Sequence, residues 1–192
     1  MMQSQDRETL FATLPSPWPD DVLPAIQQSV HRTNRSVVVL DDDPTGTQTV
    51  YDIPVLTTWD VAELTEILRA GTPLCYILTN SRSMVTVQAQ ALATEIGRNL
   101  QAAAQATGRR FSVISRSDST LRGHYPAEVD PLLTALGKQE AIHLIAPFFE
   151  EGGRYTINDI HWVQEDDTLP PTCASGLLRT PTAACLRIES HH

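Results

Sequence analysis

The 192-residue chain contains one lysine, Lys138, and its arginines are dispersed or confined to short polar segments. No basic stripe is therefore available for a phosphate backbone, and the net charge of −9 points the same way, so no nucleic-acid partner is expected. No apolar run approaches the ~18 residues that span a bilayer. The first residues lack the basic start, apolar middle and small-residue cleavage site of a secretory signal. These absences predict a cytoplasmic protein with no membrane partner. Cysteine is scarce: Cys75, Cys173 and Cys185 are odd in number and have no C-x-x-C spacing, which excludes a disulfide framework and a structural zinc site. Cys75, within LCYIL, reads as a core residue. The six histidines form no H-E-x-x-H arrangement. His143 reads as a strand residue, and His124, beside Gly123, is the histidine weighed for function. Glycine is equally sparse, with Gly152-Gly153 the only adjacent pair and no G-x-x-x-x-G-K-[ST] phosphate cradle.

What is present is an alternation of apolar runs and amphipathic stretches. Strands are expected near 36–40, 53–57, 74–79, 111–115 and 141–146, and helices near 59–70, 84–107 and 124–137. The helix at 84–107 is alanine-rich, and Gly108 is a plausible stop. This order predicts a single-domain α/β fold, a three-layer sandwich with a mainly parallel sheet and right-handed crossovers. Residues 1–34 read as an N-terminal extension: LPSPWPDDVLP is too irregular for a helix, although VLPAIQQSVHR could form a short one from Pro24. Residues 35–165 form the expected domain, with an extended or hairpin segment at 153–163. Residues 166–192 lose both strand and helix periodicity and read as an irregular or truncated tail.

Three predicted strands end in polar loops. SRSDSTLRGHYPAE (Ser115 to Glu128) gathers cations, hydroxyls, a carboxylate and a glycine between a strand and a helix, where open α/β sheets bind ligands. Arg116 and Arg122 can fork onto a carboxylate or phosphate, and Asp118 can accept from sugar hydroxyls. Ser119 and Thr120 are adaptable donors, and Gly123 allows close backbone approach. The second loop, VVVLDDDPTGTQT, stops a strand at Asp41, Asp42 and Asp43, whose mutual repulsion calls for cations or helix-start amides. The third ends LCYIL with Thr79, Asn80, Ser81 and Arg82. A polar loop can be purely structural, with an aspartate paired to arginine and hydroxyls capping a helix. Three such strand ends together favour a site for a small anionic substrate.

From about Ser36 to Glu165 the sequence resembles the four-carbon acid sugar kinases, long catalogued as a domain of unknown function. The family's D-D-x-T-G turn is matched by Asp42, Asp43, Pro44, Thr45 and Gly46, and its N-S-R strand end by Asn80, Ser81 and Arg82. Arg116 to Gly123 follow K-x-D-S-T-L-R-G, with arginine for the usual lysine. Ala146 to Thr156, including Gly153 and Arg154, are similar to A-P-x-F-x-x-x-G-R-x-T. The resemblance implies transfer of the γ-phosphoryl group of ATP, with Mg2+, to a threonate, erythronate or oxo-tetronate. It also implies that this amino-terminal domain binds the sugar acid and that a C-terminal domain carries the ATP site. That second domain is expected to be absent from this chain and supplied in cis or in trans, and a homo-oligomer is a further expected partner. The expected roles are these: Arg82 and Arg122 hold the substrate carboxylate; Asp118 and Asp43 fix its hydroxyls; Asp42, Asp43 or Asp118 is the catalytic base; Arg116 contacts substrate or transferred charge.

Two alternatives come from other classes. Asp41, Asp43 and Thr45 also satisfy the D-x-D-x-T opening of haloacid-dehalogenase-like phosphatases, with Leu78 to Asn80 resembling their second motif. Asp41 would then be the nucleophile and Asp43 the acid/base, but Lys138 and Asp166-Asp167 are unconvincing as that superfamily's later lysine and metal-binding pair. A stand-alone sugar-acid-binding module would keep the loops and dispense with ATP.

Overall fold

The computed structural model describes residues 4–48, 50–117, 123–142, 144, 147–158, 160–171 and 188–189. The N-terminal elements are β1 (Gln5–Asp6), α1 (Arg7–Phe11) and α2 (Leu23–Thr33). The central run follows as β2 (Arg35–Asp41), β3 (Val55–Leu56), α3 (Val61–Arg69), β4 (Leu74–Leu78), α4 (Thr86–Thr107), β5 (Arg110–Arg116) and α5 (Val129–Ala135). The chain then forms β6 (Arg154–Ile157), β7 (Ile160–Val163), β8 (Thr168–Leu169) and β9 (Ile188–Glu189).

The protein is an α/β fold. Its main sheet has the order β3-β4-β2-β5-β9, with β3, β4, β2 and β5 parallel and β9 antiparallel on β5. The apolar run VVVL makes β2 the central strand, buried along almost its whole length. The helices start and stop where the sequence supplies caps. Asp60 accepts from the Glu63 amide at 2.9 Å at the start of α3, and Gly108 ends α4 in the left-handed conformation at φ 66°. Val38, Leu40, Cys75, Ile77, Phe111 and Val113 point from the sheet into one core with Leu64 and Leu68 of α3, Ile96 and Leu100 of α4, and Leu132 and Leu133 of α5. Each such side chain contributes roughly 1.5–3 kcal/mol of burial. The helices α3, α4 and α5 cover one face, while Val37, Leu74, Tyr76 and Ile114 on the other stay partly exposed and α2 buries no side chain.

A second cluster comprises Leu10, Tyr155, Ile157, Trp162 and Leu169, with Phe11 edge-on to Tyr155 at 5.0 Å between ring centres. Two expectations change here. Residues 5–11, read as part of an extension, pair through β1 with β8 and bury Leu10. Thr168–Leu169, read as irregular, form that partner strand, and Leu169 is fully buried. The expected strand at 141–146 is also not seen among the described residues. Ile142 is 80% exposed and Leu144 58% exposed, and the free edge of β5 is taken by β9 instead, with Val113 opposite Ile188. His143, Ile145 and Ala146 lie outside the described residues. The helix expected at 124–137 is shorter, because Pro126 disfavours helical backbone at the residue before it, so His124–Glu128 form turns and α5 starts at Val129.

Candidate functional site

Parallel pairing brings three strand ends together. The register sets Asp41 opposite Leu78 of β4 on one side and Arg116 of β5 on the other. Charged and hydroxyl side chains that follow these residues in sequence therefore meet at the carboxyl edge of the sheet.

On the β4 side, Arg82 holds Asp42 with two hydrogen bonds, Nη2 to Oδ1 at 2.7 Å and Nε to Oδ2 at 3.1 Å, and its Nη1 donates to Asp43 Oδ2 at 3.1 Å. This fork on a carboxylate that is only 4% exposed is the strong form of an ion pair. Ser117 Oγ adds a bond to Asp42 Oδ2 at 2.9 Å. Arg82 sits in a short 3-10 turn, Ser81–Ser83, entered through Asn80 in the left-handed conformation. Asn80 is exposed and forms the turn, its carbonyl accepting from the Ser83 amide and hydroxyl. Beneath the turn, Ser81 Oγ donates to Glu128 Oε2 at 3.1 Å and Thr79 Oγ1 donates to the Asp41 carbonyl at 2.9 Å. A small cavity opens here between Asp42, Thr79, Ser81 and Glu128 and the apolar side chains of α4. Burial pushes the Glu128 carboxyl up from its ordinary value; the Ser81 bond opposes this, and the negative charge of Asp42 adds to it.

On the β5 side, Arg116 Nη1 donates to Asp41 Oδ1 at 2.9 Å. The Asp41 side chain is fully buried while that of Arg116 is 43% exposed. Asp41 Oδ2 has no hydrogen-bond partner among the described residues, and burial pushes its carboxyl up despite Arg116. Two glycines let the loops close over these carboxylates. A Cβ on Gly46 would lie 2.1 Å from both Asp41 Oδ2 and Arg116 Nη1, and one on Gly123 would lie 2.0 Å from Ser117 Oγ. Thr45 is exposed, and its hydroxyl and its amide both donate to Asp43 Oδ1, the amide at 2.8 Å; the hydroxyl bond first and the amide bond second hold Asp43 below the usual carboxylate range.

The structure thus gathers Asp42, Asp43, Thr45, Gly46, Ser81, Arg82, Arg116 and Gly123 at one edge, with Asn80 shaping the turn beside them. Asp118, Ser119, Thr120 and Arg122 lie outside the described residues. Gly153 and Arg154 belong to the second cluster's hairpin, where Arg154 Nη1 donates to the Gly152 carbonyl rather than to a carboxylate. Thr79, Ser117 and Glu128 complete the constellation and were not singled out as site residues from the sequence. For Glu128 a signal existed: in the helix expected over 124–137 it stands four and eight residues before Leu132 and Leu136, a lone acid in line with apolar residues. Among the described residues no cluster of His, Cys, Asp or Glu is arranged to hold a metal ion. The phosphatase alternative fits poorly, because its nucleophile, Asp41, is fully buried, paired to Arg116 and walled off by Gly46.

Comparison with known proteins converges on one family. The family of sugar-binding N-terminal domains matches residues 37–185. No curated protein matches the chain. Among solved structures it is similar to a domain of unknown function from Bordetella bronchiseptica, crystallised with bound citrate as a domain-swapped dimer. That similarity has a TM-score of 0.54 at 22% identity and covers 82% of this chain. The chain spans 39% of the length of that structure.

Proposed function

This chain belongs to the family of sugar-binding N-terminal domains, and from that premise we propose that it is the amino-terminal, acceptor-binding part of an ATP-dependent four-carbon acid sugar kinase. Its substrate in this reading is a four-carbon acid sugar of the threonate, erythronate or oxo-tetronate type. The observation that carries the reading is the convergence of Arg82, Arg116, Asp42 and Asp43 on the carboxyl edge of three parallel strands. Paired cations there can receive a carboxylate, and a carboxylate at the surface of the cluster can receive hydroxyls. The Bordetella protein's bound citrate is a small polycarboxylate, in keeping with an anionic ligand.

In this reading the labour is divided differently from the sequence expectation. Both oxygens of Asp42 are committed to Arg82 and Ser117, so in this reading Asp42 aims the guanidinium. Asp43 is more open, its side chain 25% exposed, and is the described aspartate best placed to meet a substrate hydroxyl. Arg116 offers the more exposed guanidinium, suited to the sugar's carboxylate or to transferred charge. Asp118 stays a candidate base through the family motif. ATP would bind on a C-terminal domain, in cis or in trans, and would supply the phosphoryl group while Mg2+ offsets its charge. The protein is proposed to work in the cytoplasm. The helices among the described residues are too short or too polar to cross a membrane. By analogy with the Bordetella dimer, a homo-oligomer is proposed.

Calorimetric titration of the chain with a panel of four-carbon sugar acids, and separately with ATP and magnesium, tests this. Binding of one sugar acid without binding of ATP is the expected result, and failure to bind any of the acids overturns the reading. In a protein carrying both domains, Asp118→Asn should abolish phosphorylation with the fold intact, and unchanged turnover would remove Asp118 from the chemistry.

A further inference from the structure

The turn that presents Arg82 is fastened from below by a second turn, His124–Glu128. Ser81 Oγ donates to Glu128 Oε2 at 3.1 Å, and the Ser81 carbonyl lies 3.0 Å from His124 Nε2. The Glu128 amide in turn donates to the His124 carbonyl at 3.1 Å, so both fastenings come from one compact segment. Ser81 is 4% exposed and Glu128 8%, which leaves little water to replace the bond between them. Arg82 follows Ser81 directly. Its amide donates to the Asp42 carbonyl at 3.3 Å, and its guanidinium meets Asp42 and Asp43. The charged groups facing Glu128 are Asp42, Arg82 and His124, two of which form the strand-end pair itself.

A guanidinium at the end of a flexible side chain is only as well aimed as the backbone that carries it. We propose that Glu128, acting through Ser81, is a positioning residue that fixes the aim of Arg82 and thereby sets the affinity of the cluster for an anionic sugar. This rests on the sugar-acid reading above. Glu128 touches no substrate in this scheme. It supplies a buried acceptor, and without it the Ser81 hydroxyl must turn elsewhere and the turn loosens.

The test compares the wild type with Glu128→Ala, Glu128→Gln, Ser81→Ala and the double variant Ser81→Ala with Glu128→Ala, at a temperature where each is folded. Glu128→Ala and Ser81→Ala should each weaken sugar-acid binding about tenfold, a size typical of one hydrogen bond to a charged group. The double variant should be no weaker than either single variant, because both remove the same interaction. Glu128→Gln keeps an acceptor for Ser81 and should restore most of the affinity. Unchanged binding in Glu128→Ala, additive losses in the double variant, or no rescue by glutamine would each overturn the proposal. If Glu128→Ala does not fold, Ser81→Ala against Glu128→Gln carries the same contrast. If the wild type binds no sugar acid, the parent reading fails, and the positioning role is judged on the ligand-free protein. There, the Arg82 Nε–H resonance should be sharp in the wild type and Glu128→Gln and broadened in Ser81→Ala. A resonance equally sharp in Ser81→Ala would overturn the proposal without reference to any ligand.

Discussion

Asp41 and Asp42 are neighbours at the end of one strand, both buried, and the two sides of the sheet treat them in opposite ways. Asp42 is saturated: Arg82 forks onto both oxygens from the β4 side, and the Ser117 hydroxyl adds a bond from the end of β5. On the β5 side Asp41 has a single bond from a half-exposed arginine, one oxygen without a partner among the described residues, and a carboxyl pushed up by burial. Asp42 is held by a forked arginine with both oxygens bonded, and Asp41 by a single arginine bond. A rigid pair preorganises a cation, whereas a loose one leaves a cation available, so the two arginines are suited to different parts of one task.

The largest expected effect tests that asymmetry directly. Arg82→Ala strands a buried carboxylate and should cost about 3–5 kcal/mol in urea unfolding. Arg116→Ala should cost about 1–2 kcal/mol, because Arg116 is half in solvent and gives Asp41 a single bond. Equal losses would erase the distinction between the two sides. Next in size, Gly46→Ala forces a methyl group into Asp41 and Arg116 and should lower stability by about 1–3 kcal/mol, with sugar-acid affinity falling in the same variant. A stability loss within experimental error would mean that the β5 side yields freely. Ser117→Ala removes one of several bonds to Asp42 and should cost about 1 kcal/mol, since Arg82 Nε still serves the same oxygen.

The smallest effect is one of pH. Burial raises the Glu128 carboxyl above its ordinary value, so the folded state binds that proton more tightly than the unfolded state does. The stability this contributes is present at acid pH and is lost as pH rises through the raised folded value. Melting temperatures of the wild type relative to Glu128→Gln should therefore decline from acid toward neutral pH. A flat difference across that range would show that Glu128 feels no net burial penalty.

Much of the β2–β5 body was legible in the sequence because its signals are local. The VVVL run, the alanine-rich helix with Gly108, and the polar residues that end three strands each mark an element without reference to its neighbours. The loops with Asp42, Asp43, Arg82 and Arg116 could be named for the same reason: the residue types were visible, and a parallel sheet places strand ends side by side. The pairing itself was not visible. Nothing in DDD says that the first aspartate meets Arg116 and the second Arg82, because that depends on register between strands about forty and seventy-five residues apart in the chain.

The sequence by itself determined the α/β alternation and the concentration of charge at strand ends, since each follows from composition and local periodicity. Only the tertiary structure decided that Leu10 and Leu169 share a core with the hairpin, and that β9 pairs with the edge of β5. It also decided that Glu128 anchors the arginine turn. In each of these cases the deciding term is contact with a partner remote in sequence, and local propensity carries no record of it.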